Sequence, residues 1–170
     1  MAKKAVIIVA QRDFRDEELF EPLNILLKRG VEVSIAAKTR EEATGKLGAT
    51  VKPDMAIIEI EAQNFDAVVF VGGPGAREYF DDPDALRVAQ DFFKANKIIG
   101  AICSGASILA NAGVLLGKTA TGFPTEEENL RNRGAEYTGM QVEVDGRIVT
   151  AKDPSAAKEF GEKLAYLLEE

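Results

Sequence analysis

Continuous apolar runs alternate along the chain with segments in which apolar residues recur every three or four positions. Apolar runs occupy residues 6–10, 66–71 and 97–102, apart from the charged residue that opens each of the last two. A strand carries such a run when both faces of its sheet are covered. Each run therefore predicts a buried strand of a parallel sheet.

Amphipathic segments separate these strands. Residues 13–16 are predicted to open a helix whose leucines recur at three- and four-residue spacing, and Lys28, Arg29 and Gly30 end it. A second strand follows at residues 31–36, and the right-handed crossover rule makes it a parallel neighbour of the first. Further helices are predicted to begin at Asp82, Ala106 and Asp153.

Glycine-containing turns predict two hairpins, over residues 44–52 and 141–150. No linker, repeat or low-complexity stretch interrupts the pattern. Residues 1–170 are therefore predicted to form one doubly wound α/β domain with a mostly parallel sheet.

Composition and charge narrow the classes of partner. The 170 residues are 46% hydrophobic and 29% charged, which suffices for a core without disulfides. The net charge of −7 argues against a nucleic-acid partner, because phosphate binding needs a basic face. The first apolar run is too short to span a membrane and no cleavage site follows it, so we expect a cytoplasmic protein with no membrane partner.

The chain contains no histidine and one cysteine, Cys103. This excludes an intrachain disulfide, a Ser-His-Asp or Cys-His pair within the chain, and a zinc site that uses histidine. The glycines at residues 73 and 75 lack the third glycine and the position after the first strand that a dinucleotide site requires. We therefore expect no metal and no cofactor.

Cys103 lies where a predicted strand meets a predicted helix. The sequence of residues 101–105, Ala-Ile-Cys-Ser-Gly, supplies the small residues that a tight turn around a nucleophile needs. A helix N-terminus favours the thiolate, so this position predicts a lowered pKa for the Cys103 thiol. The residues alone leave open the alternative of an inert, buried thiol.

Four motifs together resemble the ThiJ/PfpI superfamily. They are the turn at residues 101–105, the segment 112–118 that follows it, the strand end and glycine pair at residues 70–73, and Glu18 with Pro22 in the first helix. Their order and spacing cover nearly the whole chain. The resemblance implies a flavodoxin-like three-layer sandwich and a homodimer or a larger assembly of dimers.

The resemblance also implies a site. It places the carboxyl group of Glu18 against the sulfur of Cys103, where a protonated Glu18 would donate a hydrogen bond to the thiolate. Gly72 and Gly73 are implied as backbone donors to an oxyanion, with Ser104 adding an amide or a hydroxyl. Without the resemblance, the acids around Glu18 are more typical of a solvated helix face than of a site.

Residues that follow strand ends are predicted to form the walls of a pocket. They are Phe14, Arg15, Phe123 and Pro124. Arg15 is a candidate for attracting a carboxylate-bearing substrate, although an arginine in this position is also typical of a plain surface.

The resemblance favours a cysteine-dependent, cofactor-independent enzyme of the glyoxalase or deglycase type, acting on a small-molecule carbonyl substrate. The alternative is a non-enzymatic cysteine redox sensor or chaperone-like stress protein. A third possibility is the hydration of isonitriles. Relatives with that activity tend to carry aspartate where this chain has Glu18, which argues against it. The protease branch has histidine where this chain has Ser104, so we do not expect peptidase activity. The acid of that branch lies near Glu78, but the offset of Glu78 from the glycine pair is one residue too long.

Overall fold

The computed structural model describes residues 1–170, and a seven-stranded sheet forms its centre. Twelve strands are present, most of them short, and they contribute to three sheets. The strands are β1 (Lys4–Ile8), β2 (Arg12–Phe14), β3 (Glu32–Ala37), β4 (Ala43–Gly45), β5 (Thr50–Val51), β6 (Met55–Ala56), β7 (Ala67–Phe70), β8 (Ile98–Ile102), β9 (Thr119–Ala120), β10 (Glu136–Tyr137), β11 (Val142–Asp145) and β12 (Ile148–Ala151).

Four α-helices lie between these strands and a fifth follows the last strand, with short 3-10 turns at several of the connections. None of the five combines the length and the apolar character that crossing a membrane requires. The helices are α1 (Asp16–Lys28), α2 (Pro83–Lys94), α3 (Ala106–Asn111), α4 (Glu127–Asn132) and α5 (Ala157–Glu169).

The central sheet has the order β11-β12-β8-β7-β1-β3-β6 and is parallel except for β11. β1 and β3 are parallel neighbours, as the crossover rule predicts. Both predicted hairpins are confirmed: β4 pairs antiparallel with β5, and β11 pairs antiparallel with β12 through a turn in which Gly146 has φ 62°.

Helices cover both faces of this sheet, which gives three layers. On one face α1 and α5 pack closely, since a Cβ atom added to Gly161 would lie 2.9 Å from Cα of Pro22. The core on that face includes Leu19 and Phe160. On the other face α2 and α3 contribute Phe92 and Leu109 to a second core. The mixed α/β, mostly parallel architecture is the one that the sequence predicts.

The start of the first helix differs from the prediction. The helix begins at Asp16, and Arg12–Phe14 instead form β2, which pairs with β4. Asp13 has φ 62°, a left-handed conformation that a helix excludes. The carbonyl of Phe14 accepts a hydrogen bond from the amide of Lys46, so tertiary pairing holds this segment extended.

Candidate active site

Two adjacent strands bring the predicted site residues together. β7 and β8 are parallel, with Phe70 opposite Ala101, so both end at the same edge of the sheet. Gly72 and Gly73 follow β7, and Cys103 follows β8 directly. The carboxyl edge of a parallel sheet is where ligand crevices form in such folds.

Cys103 occupies a tight turn between strand and helix. Its φ is 61°, a left-handed conformation that costs a residue with a Cβ atom roughly 1–2 kcal/mol. A Cβ atom on Gly105 would lie 2.6 Å from the carbonyl oxygen of Phe70, so the close approach of the two backbones requires glycine there. The turn therefore aims the thiol away from the strand, towards α1.

Glu18 lies in the first turn of α1, beside the Cys103 thiol. Its side chain is fully buried. Oε1 accepts a 2.9 Å hydrogen bond from the amide of Gly72, whereas Oε2 has no hydrogen-bond partner. The carboxyl group lies close enough to Cys103 for the two side chains to shift each other's pKa. Burial raises the pKa of Glu18 to about 8, although hydrogen bonds from Cys103 and Gly72 oppose the shift. Near neutral pH the carboxyl group therefore keeps its proton.

The prediction that the pKa of Cys103 is lowered is wrong. Burial raises the pKa of the thiol, and a negative charge on Glu18 raises it further. The amides of Ser104 and Gly73 act in the opposite direction, but they do not offset the desolvation of a side chain that is only 8% exposed. Of the two groups Glu18 consequently loses its proton first, near pH 8, while the thiol stays protonated.

The backbone donors divide their work differently from the prediction. The amide of Gly72 already donates to Glu18, so it is not available to an oxyanion. The amides of Gly73 and Ser104 lie within hydrogen-bonding reach of the Cys103 sulfur. The Ser104 hydroxyl fixes the loop, because it accepts from the amide of Gly73 at 3.1 Å and donates to the carbonyl of Gly73 at 3.0 Å.

A cavity of about 510 Å³ opens onto Cys103, whereas the buried Glu18 does not line it. Cys103 lines it, and Arg15 and Phe123 contribute to its walls. Phe14 is not a wall residue: it is completely buried in the core beneath α1, because β2 turns its side chain inward. Pro124 lies outside this cavity and lines a neighbouring groove.

Three charged residues that the sequence analysis did not single out also line the cavity: Lys46, Arg77 and Glu126. Arg77 follows the glycine pair on the same loop, so the rule that strand ends form ligand crevices would have found it. Lys46 comes from the β4–β5 hairpin, and no local pattern connects that hairpin with Cys103.

Glu126 is a buried acid at the cavity, only 7% exposed. Its Oε1 accepts a 2.6 Å hydrogen bond from the hydroxyl of Ser107, and its Oε2 accepts one of 2.7 Å from the hydroxyl of Thr125. Asn129 extends the network by donating to Ser107. The hydroxyls hold this carboxylate in one orientation.

Glu78, near the position of the acid in the protease branch, does not line the cavity. Its Oε1 accepts a 3.0 Å hydrogen bond from the backbone amide of Gln11, which fixes the loop after β1. No group of three or more histidine, cysteine, aspartate or glutamate side chains is arranged to hold a metal ion.

Comparison with known proteins gives a consistent result. The model of the DJ-1/PfpI family matches residues 3–167. Deglycase TK1284 of Thermococcus kodakarensis is 36% identical, over 88% of this chain and 90% of its own. The glutathione-independent glyoxalase DJR-1.2 of Caenorhabditis elegans is 27% identical over 98% of this chain and 89% of its own. A Bacillus subtilis relative whose name describes a cysteine protease is 33% identical over 99% of both chains.

Among solved structures, a ThiJ/PfpI domain protein from Brachyspira murdochii superimposes with a TM-score of 0.96. It is 33% identical, and the match covers 99% of this chain and 97% of the other.

Proposed function

The chain belongs to the DJ-1/PfpI family, and from that premise we propose that it is a cysteine-dependent enzyme acting on small reactive carbonyls. Relatives named deglycase and glyoxalase support an enzyme of this type. One observation carries the proposal: the fully buried Glu18 carboxyl group, with one oxygen unpartnered, lies beside the only thiol of the chain, and that thiol lines a cavity of about 510 Å³. A carboxyl group placed in this way serves proton transfer rather than solubility.

In the first step Cys103 adds to the aldehyde carbon of a 2-oxoaldehyde. In the fraction of molecules in which Glu18 is ionised, small near neutral pH and larger towards pH 8, its carboxylate accepts the thiol proton as the carbon–sulfur bond forms. The negative charge passes to the aldehyde oxygen, which takes that proton from Glu18 to give a hemithioacetal and leaves Glu18 ionised for the next step. The amide of Ser104, which lies near the sulfur, stabilises the negative charge that develops beside it, whereas the amide of Gly73 is held by the Ser104 hydroxyl.

Glu18 then moves a proton within the bound molecule. It removes the proton from the former aldehyde carbon, giving an enediol, and returns it to the neighbouring carbon, so that the first carbon is oxidised to a thioester and the second is reduced to an alcohol. Water hydrolyses the thioester and regenerates the Cys103 thiol. The net reaction is 2-oxoaldehyde plus water giving a 2-hydroxy acid, and these steps use only protein groups and water.

The test follows the formation of lactate from methylglyoxal. We expect Cys103→Ser to abolish turnover and Glu18→Gln to reduce kcat by about 100-fold or more, because positioned proton transfer contributes roughly that much. Glu21→Gln, an exposed acid on the same helix, is the matched control and should retain activity. Unchanged lactate formation by the Cys103 variant would refute the proposal.

A peptidase is not supported by these groups. Hydrolysis of an amide requires a general acid for a poor leaving group, usually an imidazole, and the chain has no histidine. The residue after the cysteine is Ser104, whose hydroxyl is occupied by Gly73.

Redox sensing is the second candidate, because hydrogen-bond donors lie beside the sulfur. The amide of Ser104 and a protonated Glu18 would stabilise a sulfinate at Cys103. With no second cysteine, the chain has no resolving thiol. Mass spectrometry after mild peroxide treatment should then show two added oxygen atoms on the Cys103 peptide, and an unmodified peptide would exclude this role.

A further inference from the structure

The cavity above Cys103 has a charge opposite to that of the protein. Three basic side chains line it, from Arg15, Lys46 and Arg77, against one acid, Glu126. The chain as a whole has a net charge of −7, so this excess of positive charge is local.

Two of the three cations are not neutralised by the protein. Arg15 forms a two-pronged ion pair with Glu17, with hydrogen bonds of 2.8 and 2.9 Å. Lys46 and Arg77 make no ion pair within 4.0 Å, although seven other basic residues of the chain do. Unpaired cations at the wall of a concave site raise the local concentration of anions.

The segments that carry these cations are held in place. Asp16 accepts hydrogen bonds from the amides of Leu47 and Ala49, at 3.0 and 2.9 Å, and so fixes the loop next to Lys46. The turn that carries Arg77 is anchored by the hydroxyl of Tyr79, which donates a 2.7 Å hydrogen bond to the carbonyl of Val9. Both charges are therefore presented on fixed backbone at the cavity.

We propose that the substrate carries an anionic group in addition to its reactive carbonyl, and that Lys46 and Arg77 bind that group while Cys103 attacks the carbonyl. Only the attack of Cys103 on the carbonyl rests on the proposed function, whereas the binding of an anion by Lys46 and Arg77 does not depend on it. A carboxylate or phosphate on the same small molecule supplies the required charge. Methylglyoxal, which is neutral, would then be a poor stand-in for the natural substrate class.

The first test measures the charge preference of the site without any turnover. Iodoacetate and iodoacetamide are nearly equal in size and alkylate the same sulfur, but only iodoacetate is anionic. The quantity measured is the rate of Cys103 alkylation by iodoacetate divided by the rate with iodoacetamide. We expect this ratio to fall about three- to tenfold in Lys46→Gln and in Arg77→Gln, and to fall with added salt in the wild type. Lys94→Gln, at the end of α2 and near the opposite edge of the sheet, should leave the ratio unchanged.

The second test compares two substrates of similar size, 4,5-dioxopentanoate and the neutral 2-oxohexanal. We expect the wild type to prefer the carboxylate by about tenfold or more in kcat/KM, and Arg77→Gln to reduce that preference. A selective alkylation ratio without turnover of either compound would refute the proposed function and uphold anion binding. Turnover of both without preference, with alkylation ratios equal in all variants, would overturn the present inference.

Discussion

The pH dependence of stability in Glu18→Gln tests the central electrostatic feature of the site. The pKa of Glu18 is about 8 in the folded chain against an ordinary value of 4.5, because the carboxyl group is fully buried. A carboxyl group whose pKa is raised by folding stabilises the folded state while it is protonated. That contribution is complete below pH 4.5 and is lost as the pH rises towards and through 8. Glutamine has the same shape and cannot ionise, so the variant escapes this loss.

The magnitude follows from the two pKa values. The full difference corresponds to about 5 kcal/mol, since each pKa unit is worth about 1.4 kcal/mol. Relative to wild type, the variant should gain about 2–3 kcal/mol of unfolding free energy between pH 5 and pH 7, and about 4 kcal/mol by pH 8.5. With a urea slope of about 2 kcal/mol per molar, the gain by pH 7 moves the unfolding midpoint by about 1 M.

The assay is urea unfolding of wild type and variant at a series of pH values and one protein concentration. Glu17→Gln is the matched control, because Arg15 lowers the pKa of Glu17 and the pH dependence should run the other way. In that pair the wild type gains from the ion pair as the pH rises and loses it as the pH falls through the lowered pKa. A difference between Glu18→Gln and wild type that stays constant from pH 5 to pH 8.5 would refute a buried carboxyl group with a raised pKa.

Three further predictions follow from the same geometry. The rate of alkylation of Cys103 by iodoacetamide should rise with a midpoint above the ordinary thiol value of about 8.5, and the midpoint should move downward in Glu18→Gln, because that variant lacks the negative charge that raises the thiol pKa further; a midpoint below pH 7 would contradict the raised pKa. Gly105→Ala should lower the free energy of unfolding by about 1–3 kcal/mol through the clash with Phe70, seen as a fall in Tm of several degrees, and a stable variant would contradict that clash. Asp16→Ala should cost about 2–4 kcal/mol and speed hydrogen exchange at the amides of residues 47 and 49; unchanged exchange would show that Asp16 does not hold the loop next to Lys46.

The main strands and helices, the pairing of β1 with β3 and the two hairpins could be predicted from the sequence. Apolar runs predict buried strands because both faces of a parallel sheet are covered, and the crossover rule then makes β1 and β3 neighbours. The position of Cys103 could also be predicted from local sequence, because a strand, a small-residue turn and a helix follow one another within a few residues. The resemblance to a family added Glu18, which the spacing of acids alone leaves as a surface residue.

The pKa values of Cys103 and Glu18, the free backbone donors and the charge of the cavity could not be predicted from local sequence, because they depend on tertiary packing. Burial of the Cys103–Glu18 pair raises both pKa values, and desolvation depends on the layers that close over the site rather than on any local pattern. The pairing of Gly72 with Glu18 removes a donor that the strand-end rule makes available. The positive charge of the cavity also depends on the β4–β5 hairpin, which is distant from Cys103 in sequence. The side chain of Lys46 reaches the cavity only once that hairpin has folded against α1.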